Sequence, residues 1–156
     1  MKVYIIYDRY EHDEWYDISW IGTNKEQAIK QFKEQELPSF LEYGPDDCHS
    51  FQLVEVEMTD QEYKDLLDQV KNGEEIYSGT QLYNTLYHIY HEDVPVNEIY
   101  VTDGCSDNYE VKNLYMSTNY PDLEEESDEY YDKEVEFYQD DDLYREYVKK
   151  YIELNY

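Results

Sequence analysis

Hydrophobic residues recur along this chain with two periods, and the switches between them predict the elements. Residues 2–8, KVYIIYD, are β-branched and aromatic. In 15–22, WYDISWIG, Trp15, Tyr16, Ile18 and Trp20 are interspersed with Asp17 and Ser19. Together they predict a hairpin around RYEHDE. The period lengthens at TNKEQAIKQFKEQE, where Thr23 and Glu26 form a capping box and Ala28, Ile29 and Phe32 share one helical face. Pro38 is expected to stop this helix. A strand follows at 50–58, SFQLVEVEM. Leu53 is out of phase with Val54 and Val56, which predicts either two covered faces or a bulge. Thr59 and Glu62 make a second capping box before Tyr63, Leu66, Leu67 and Val70, and Asn72–Gly73 ends that helix. Leu82, Tyr83, Leu86, Tyr87 and Tyr90 predict a further helix from Thr80 to about His91.

Residues 98–103, EIYVTD, and 109–118, YEVKNLYMST, predict a second hairpin across GCSDN. It shares a strand–turn–strand pattern ending in Thr-Asn with the N-terminal one, a likeness that hairpins rich in tyrosine and aspartate share without duplication. The clearest helix is the last, with Leu143, Tyr144, Tyr147, Val148, Tyr151 and Ile152 on one face and Asp141 and Asp142 at its positive end. The expected fold class is α+β: an antiparallel sheet from two β-hairpins plus a central strand, with three to four helices. Residues 1–156 read as one domain, with 121–142 as an acidic segment inside it.

Charge changes the picture most. Thirty-nine acids against twelve bases give −27. A small domain needs a net charge of only about 2–8 for solubility. The surplus costs stability through self-repulsion. It disfavours nucleic acid and anionic membranes as partners and favours a basic protein surface or a cation. Three plainer accounts compete: surplus solubility, a halophile's hydration shell, and a disordered acidic tail. The tyrosine, isoleucine, asparagine and lysine usage fits an AT-rich genome better than a halophile. Twenty-one tyrosines argue that the chain folds, since disordered acidic chains are poor in aromatics. No signal peptide or membrane-spanning run is visible, so Cys48 and Cys105 read as reduced thiols of a cytoplasmic protein, with a single disulfide left open.

Residues 121–142, PDLEEESDEYYDKEVEFYQDDD, concentrate the charge: twelve carboxylates, one lysine and four aromatics. If 122–140 is helical, Glu125, Glu129, Asp132, Glu136 and Asp140 form one row, while Tyr131, Val135 and Tyr138 face a core. The row runs about 22 Å, with a carboxylate every ~5–6 Å. DNA carries a phosphate every ~3.4 Å per strand. Glu124, Asp128 and Glu134 fill in beside the row. The alternative is a strand over 133–139, with acids along one face of a sheet edge.

The chemical motifs fail on spacing. Asp46, Asp47, Cys48 and His49 lack the second pair that a zinc site needs. His88 and His91 stand three apart, and Ile89 occupies the place of the zincin glutamate. A calcium loop from Asp103 would need glycine at Asn108 and glutamate at Leu114. There is no glycine-rich phosphate loop and no G-x-S-x-G. The expectation is a protein without catalysis, metal or cofactor; loose calcium binding by the acidic run is an alternative.

Size, charge, tyrosine content and the acidic run make this chain resemble the acidic inhibitors of bacterial defence carried by phages and mobile elements, anti-restriction and anti-CRISPR DNA mimics. The N-terminal strand–strand–helix is similar to the start of small phage accessory proteins. Both are likenesses of type, without a shared motif. The first implies a non-enzymatic inhibitor in the host cytoplasm that offers a DNA-like surface to the basic groove of a CRISPR effector, a restriction enzyme or another DNA-binding protein. The residues expected to meet that partner are Asp122, Glu124, Glu125, Glu126, Asp128, Glu129, Asp132, Glu134, Glu136, Asp140, Asp141, Asp142 and Tyr130. The second reading is an acidic protein-interaction module without mimicry.

Overall fold

In a computed structural model, which describes residues 1–10, 15–42, 49–71 and 96–156, the run VYIIY is buried on both sides. Val3, Ile5 and Tyr7 point to one face of a sheet, and Tyr4 and Ile6 to the other. A strand covered on both faces needs no polar alternation. This strand, β1 (Lys2–Tyr10), pairs antiparallel with β2 (Trp15–Gly22) and with β3 (His49–Glu57). β4 (Val96–Asp103) joins the far side of β3, giving the order β2-β1-β3-β4, antiparallel throughout. The molecule is an α+β fold, as expected.

Bulges on the two outer strands re-aim side chains. Between Ile6↔Trp20 and Tyr7↔Ile18 the register skips Ser19. Ile18 therefore packs on one face and Trp20 on the other, although simple alternation puts them together. A second skip, at Ile99 in β4, puts Ile99 and Tyr100 against the same cluster. In β3 the phase of Leu53 against Val54 and Val56 reflects two covered faces, with the bulge lying in its neighbour.

Among the described residues, one face carries one helix, α3 (Asp60–Lys71), through Leu66, Tyr63 and Val70. Its capping box forms: the Thr59 N–H donates to Glu62 Oε2 at 2.7 Å and the Glu62 N–H to Thr59 Oγ1 at 3.2 Å. The other face carries the remaining helices. The first start differs from expectation, because Asn24 rather than Thr23 caps α1 (Lys25–Gln31), accepting from the Gln27 N–H. Pro38 does not end it either. The chain passes through a π turn (Phe32–Glu36) into α2 (Leu37–Glu42), where the Leu37 N–H reaches back five residues to Phe32 O. The wider turn absorbs a residue that has no N–H, and its five-residue step keeps Phe32 and Leu37 on the buried side.

The expected second hairpin does not form. After β4 the chain turns at once into α4 (Gly104–Asn119), where Val111, Lys112, Tyr115 and Met116 are buried at helical spacing. The likeness between the two hairpins therefore ends with their first strands. Next come α5 (Asp128–Gln139) and α6 (Asp141–Asn155). Tyr144, Tyr147, Val148, Tyr151 and Ile152 of α6 are buried, and the Tyr144 hydroxyl donates to Leu41 O at 2.9 Å. Counting the interrupted α1–α2 run once, the described residues hold five helices, one above expectation. The helix expected from Thr80 to His91, Asn72–Gly73 and the Asp46–Cys48 cluster lie outside the described residues. Among the described residues no helix is long and apolar enough to cross a membrane.

Tyrosine replaces aliphatic packing between helices. The Tyr115 and Phe137 rings stack with centroids 4.4 Å apart, and Tyr147 meets Tyr115 edge-on at 5.1 Å. The hydroxyls find partners at the margins: Asn119 Nδ2 donates to Tyr147 OH at 2.8 Å, while Thr102, Tyr151 and Tyr156 all donate to buried Asp107. Burial is the main cause that raises these phenols: Tyr115 and Tyr156 are each pushed up to about 12, and Tyr144 and Tyr151 are raised as well.

Two measurements check this packing. Phe137→Ala should cost about 3–5 kcal/mol in urea unfolding, the size expected for emptying a buried aromatic site. The raised phenols keep their protons in the fold and would release them on unfolding. Stability is therefore complete below the ordinary tyrosine value of 10.0 and is lost as pH rises through about 12. A titration at 295 nm should show one group of tyrosines ionising near 10 and a second only together with loss of helical circular dichroism.

Candidate functional site

The acidic segment folds as a turn, a helix and a corner. Asp122, Glu124, Glu125 and Glu126 lie in the turn that leaves α4. Glu126 has a φ of 71°, a left-handed conformation that bends the chain before Ser127 caps α5 by accepting from the Tyr130 N–H. Asp128, Glu129, Asp132, Glu134 and Glu136 belong to α5. Asp140 is the corner: its side chain accepts from the Leu143 N–H at 3.1 Å and so starts α6, with Asp141 and Asp142 in the first turn. Eleven of the twelve acids are exposed; Glu134 is half-buried.

At 3.6 residues per turn, α5 divides into three longitudinal stripes. Tyr130 and Phe137 are buried and define the inward one, flanked by half-buried Lys133 and Glu134. Taking Asp128 as 0°, the acids Asp128, Asp132, Glu136 and Glu129 occupy an arc of about 100°. Tyr131, Val135 and Tyr138 occupy the arc between, and they are exposed: 51, 52 and 44 %. This corrects the expectation that these three face a core. Several apolar residues spread round the helix left the inward arc undetermined by spacing alone, and the stack on Tyr115 selects Phe137. The strand alternative for 133–139 is likewise replaced by helix.

The acidic row is also shorter than expected. Helix begins only at Asp128, so Glu125 stands in the turn, and the helical part of the row is Glu129, Asp132 and Glu136, about 10 Å at 1.5 Å per residue. Asp140 continues it at the corner, where Glu136, Asp140, Asp141, Asp142 and Arg145 border an open recess of about 520 Å³.

The few cations near the segment point inward or along it. Lys112 is buried, 3.4 Å from Glu134 and 3.3 Å from the Tyr130 hydroxyl, with Tyr109 4.0 Å below its ammonium. Burial alone would lower its pKa, but the bond to Tyr130 and the charge of Glu134 outweigh that and hold it raised. Lys133 lies 3.2 Å from Glu136, and Arg145 3.8 Å from Asp142. Asp122, Glu124, Glu125, Glu126, Asp128, Glu129, Asp132, Asp140 and Asp141 have no ion-pair partner among the described residues. Of the residues expected to meet a partner, the structure thus exposes eleven acids along a turn, a helix and a corner, turns Glu134 partly inward, and buries Tyr130 on the inner side of α5. Sequence reasoning missed Lys112 and Tyr109, because a helix had not been expected at 104–119.

No known protein family matches this chain, and no curated protein or solved structure is similar to it.

Nine acids on one short stretch, without ion-pair partners among the described residues, repel one another in the fold more than in an extended chain. Raising NaCl from 0.05 to 0.5 M shortens the screening length from roughly 14 to 4 Å. The melting temperature should rise over that interval, and rise less in a variant carrying Glu125→Gln, Glu129→Gln and Asp132→Gln.

Proposed function

We propose that this protein is a non-enzymatic inhibitor that presents the outward acids of 122–142 to the basic groove of a nucleic-acid-binding protein of bacterial defence, a CRISPR effector or a restriction enzyme, and so excludes DNA. The observation that carries this reading is the placement of eleven exposed carboxylates on a folded turn–helix–corner whose inner side is fixed by Tyr130 and Phe137. A groove lined with lysine and arginine relieves the repulsion of such an array as it relieves that of phosphates. Preorganisation matters here, because a floppy acidic tail would have to be ordered on binding. The bend at Glu126 and the corner at Asp140 bound the helical part of the array at its two ends.

The test uses DNA cleavage by a panel of purified restriction endonucleases and RNA-guided nucleases. At least one should be inhibited competitively with DNA, with inhibition weakening steeply as salt rises. Changing Glu125, Glu129, Asp132 and Glu136 to lysine moves the net charge from −27 by +8 to −19. That variant should keep its circular dichroism spectrum and lose inhibition by about a hundredfold or more, a few kcal/mol spread over four charges. Inhibition that survives the reversal removes this surface from the mechanism. Inhibition of an enzyme without competition against DNA removes mimicry.

A further inference from the structure

The exposed stripe of α5 is aromatic and bordered by carboxylates, and elsewhere in this molecule tyrosine rings, buried and exposed, seat cations. Lys112 lies 4.0 Å from the Tyr109 centroid and 5.4 Å from Tyr130. Lys150 lies 4.5 Å from Tyr147, Lys33 5.2 Å from Tyr100, and Lys133 5.5 Å from Tyr120. A ring face attracts a cation through its quadrupole, and carboxylates alongside add to that attraction. Tyr131 and Tyr138 are exposed, Tyr138 with its ring tilted against Phe137 and Tyr144, and among the described residues no lysine or arginine lies over either ring. One edge of the stripe is bordered by Asp128 and Asp132 and the other by Glu134.

We infer that Tyr131, Val135 and Tyr138 form a docking stripe for an arginine-rich segment of a protein partner, whose guanidinium groups lie over the two rings while reaching the flanking carboxylates. This rests on the reading of 122–142 as a partner-binding surface and names the chemistry it selects. Charge decides the occupant. A second copy would bring another −27, and nucleic acid or an anionic membrane would bring phosphates against the same carboxylates. Arginine suits the stripe better than lysine, because its planar fork stacks on a ring and still donates sideways to carboxylate oxygens, and it sheds its hydration more easily. Pure phosphate mimicry requires only the acids; the stripe adds a preference among cations that DNA's outer surface lacks.

The probes are nona-arginine and nona-lysine peptides, titrated calorimetrically into the full chain at physiological salt. Nona-arginine should bind about tenfold more tightly, a difference of one or two stacked cations. Tyr131→Leu with Tyr138→Leu keeps apolar bulk and helix propensity but removes both ring faces. In that variant the arginine-to-lysine ratio should fall to about one. The triple change Tyr131→Ser, Val135→Ser and Tyr138→Ser should do the same, and unchanged circular dichroism establishes that α5 persists in either variant. Equal affinities in the unaltered protein, or a ratio that survives the leucine variant, would overturn this inference and leave the charge array standing. If neither peptide binds, both the stripe and the array lose their partner-binding role.

Discussion

The stack of Phe137 on Tyr115 is the contact on which the acidic surface depends. Without an inward anchor, α5 would be a short helix with five acids and one lysine, and helices of that length are marginal alone in water. Two carboxylates about 6 Å apart repel by roughly 0.7 kcal/mol in bulk water before salt is counted. Summed over the neighbours along α5 and its preceding turn, that is a few kcal/mol against order. Burial of a phenylalanine stabilises by about 1.5–3 kcal/mol, and each ring contact adds about 0.5–1.5. Phe137 has such contacts with Tyr115, Tyr138, Tyr144 and Tyr147, and Tyr130 is buried beside it. The aromatic anchor is thus larger than the local repulsion, though not by a wide margin.

Lys112 completes the balance from beneath. A buried ammonium is costly unless it is paired and hydrogen-bonded. Here Glu134, the Tyr130 hydroxyl and two ring faces supply that environment. Because this cation sits inside, it stabilises the inner edge of α5 without neutralising the outer one. Glu134 is accordingly the acid of α5 turned toward the body, and the row on the opposite side keeps its charge.

Much of this arrangement was legible in the residues, and the failures have physical causes. β1, β2, β3, α3 and α6 follow from strong periodicity or from a capping box that forms as written, as at Thr59 and Glu62. Within the helix at 104–119, residues 109–118 read locally as a strand after a GCSDN turn because Tyr109, Val111 and Tyr115 favour strands, while burial of Val111, Lys112, Tyr115 and Met116 at i, i+1, i+4 and i+5 overrides that preference. Pro38 looked like a stop because the π turn that accommodates it has no sequence signature of its own. Within the site, that the acids face outward was readable from solvation alone. Which aromatics lie beneath them was not, since Tyr130 and Tyr131, like Phe137 and Tyr138, are adjacent pairs whose inward member is chosen by the neighbouring helix.

Surplus solubility can be weighed against a dedicated surface by asking where the charge sits. Charge kept only for solubility gains nothing from being crowded, since spreading it lowers self-repulsion at the same net value. Along α6 the signs alternate: Asp141, Asp142, Glu146 and Glu153 against Arg145, Lys149 and Lys150, with Lys150 2.9 Å from Glu146. From 122 to 136 there are nine acids and a single lysine. The same chain therefore interleaves acids and bases along α6 and crowds nine acids around one lysine in the adjacent segment, where an aromatic anchor of limited surplus has to hold them. Crowding that costs stability at one place, with a less repulsive arrangement next to it, is what the proposed cationic partner would account for and what surplus solubility alone would not.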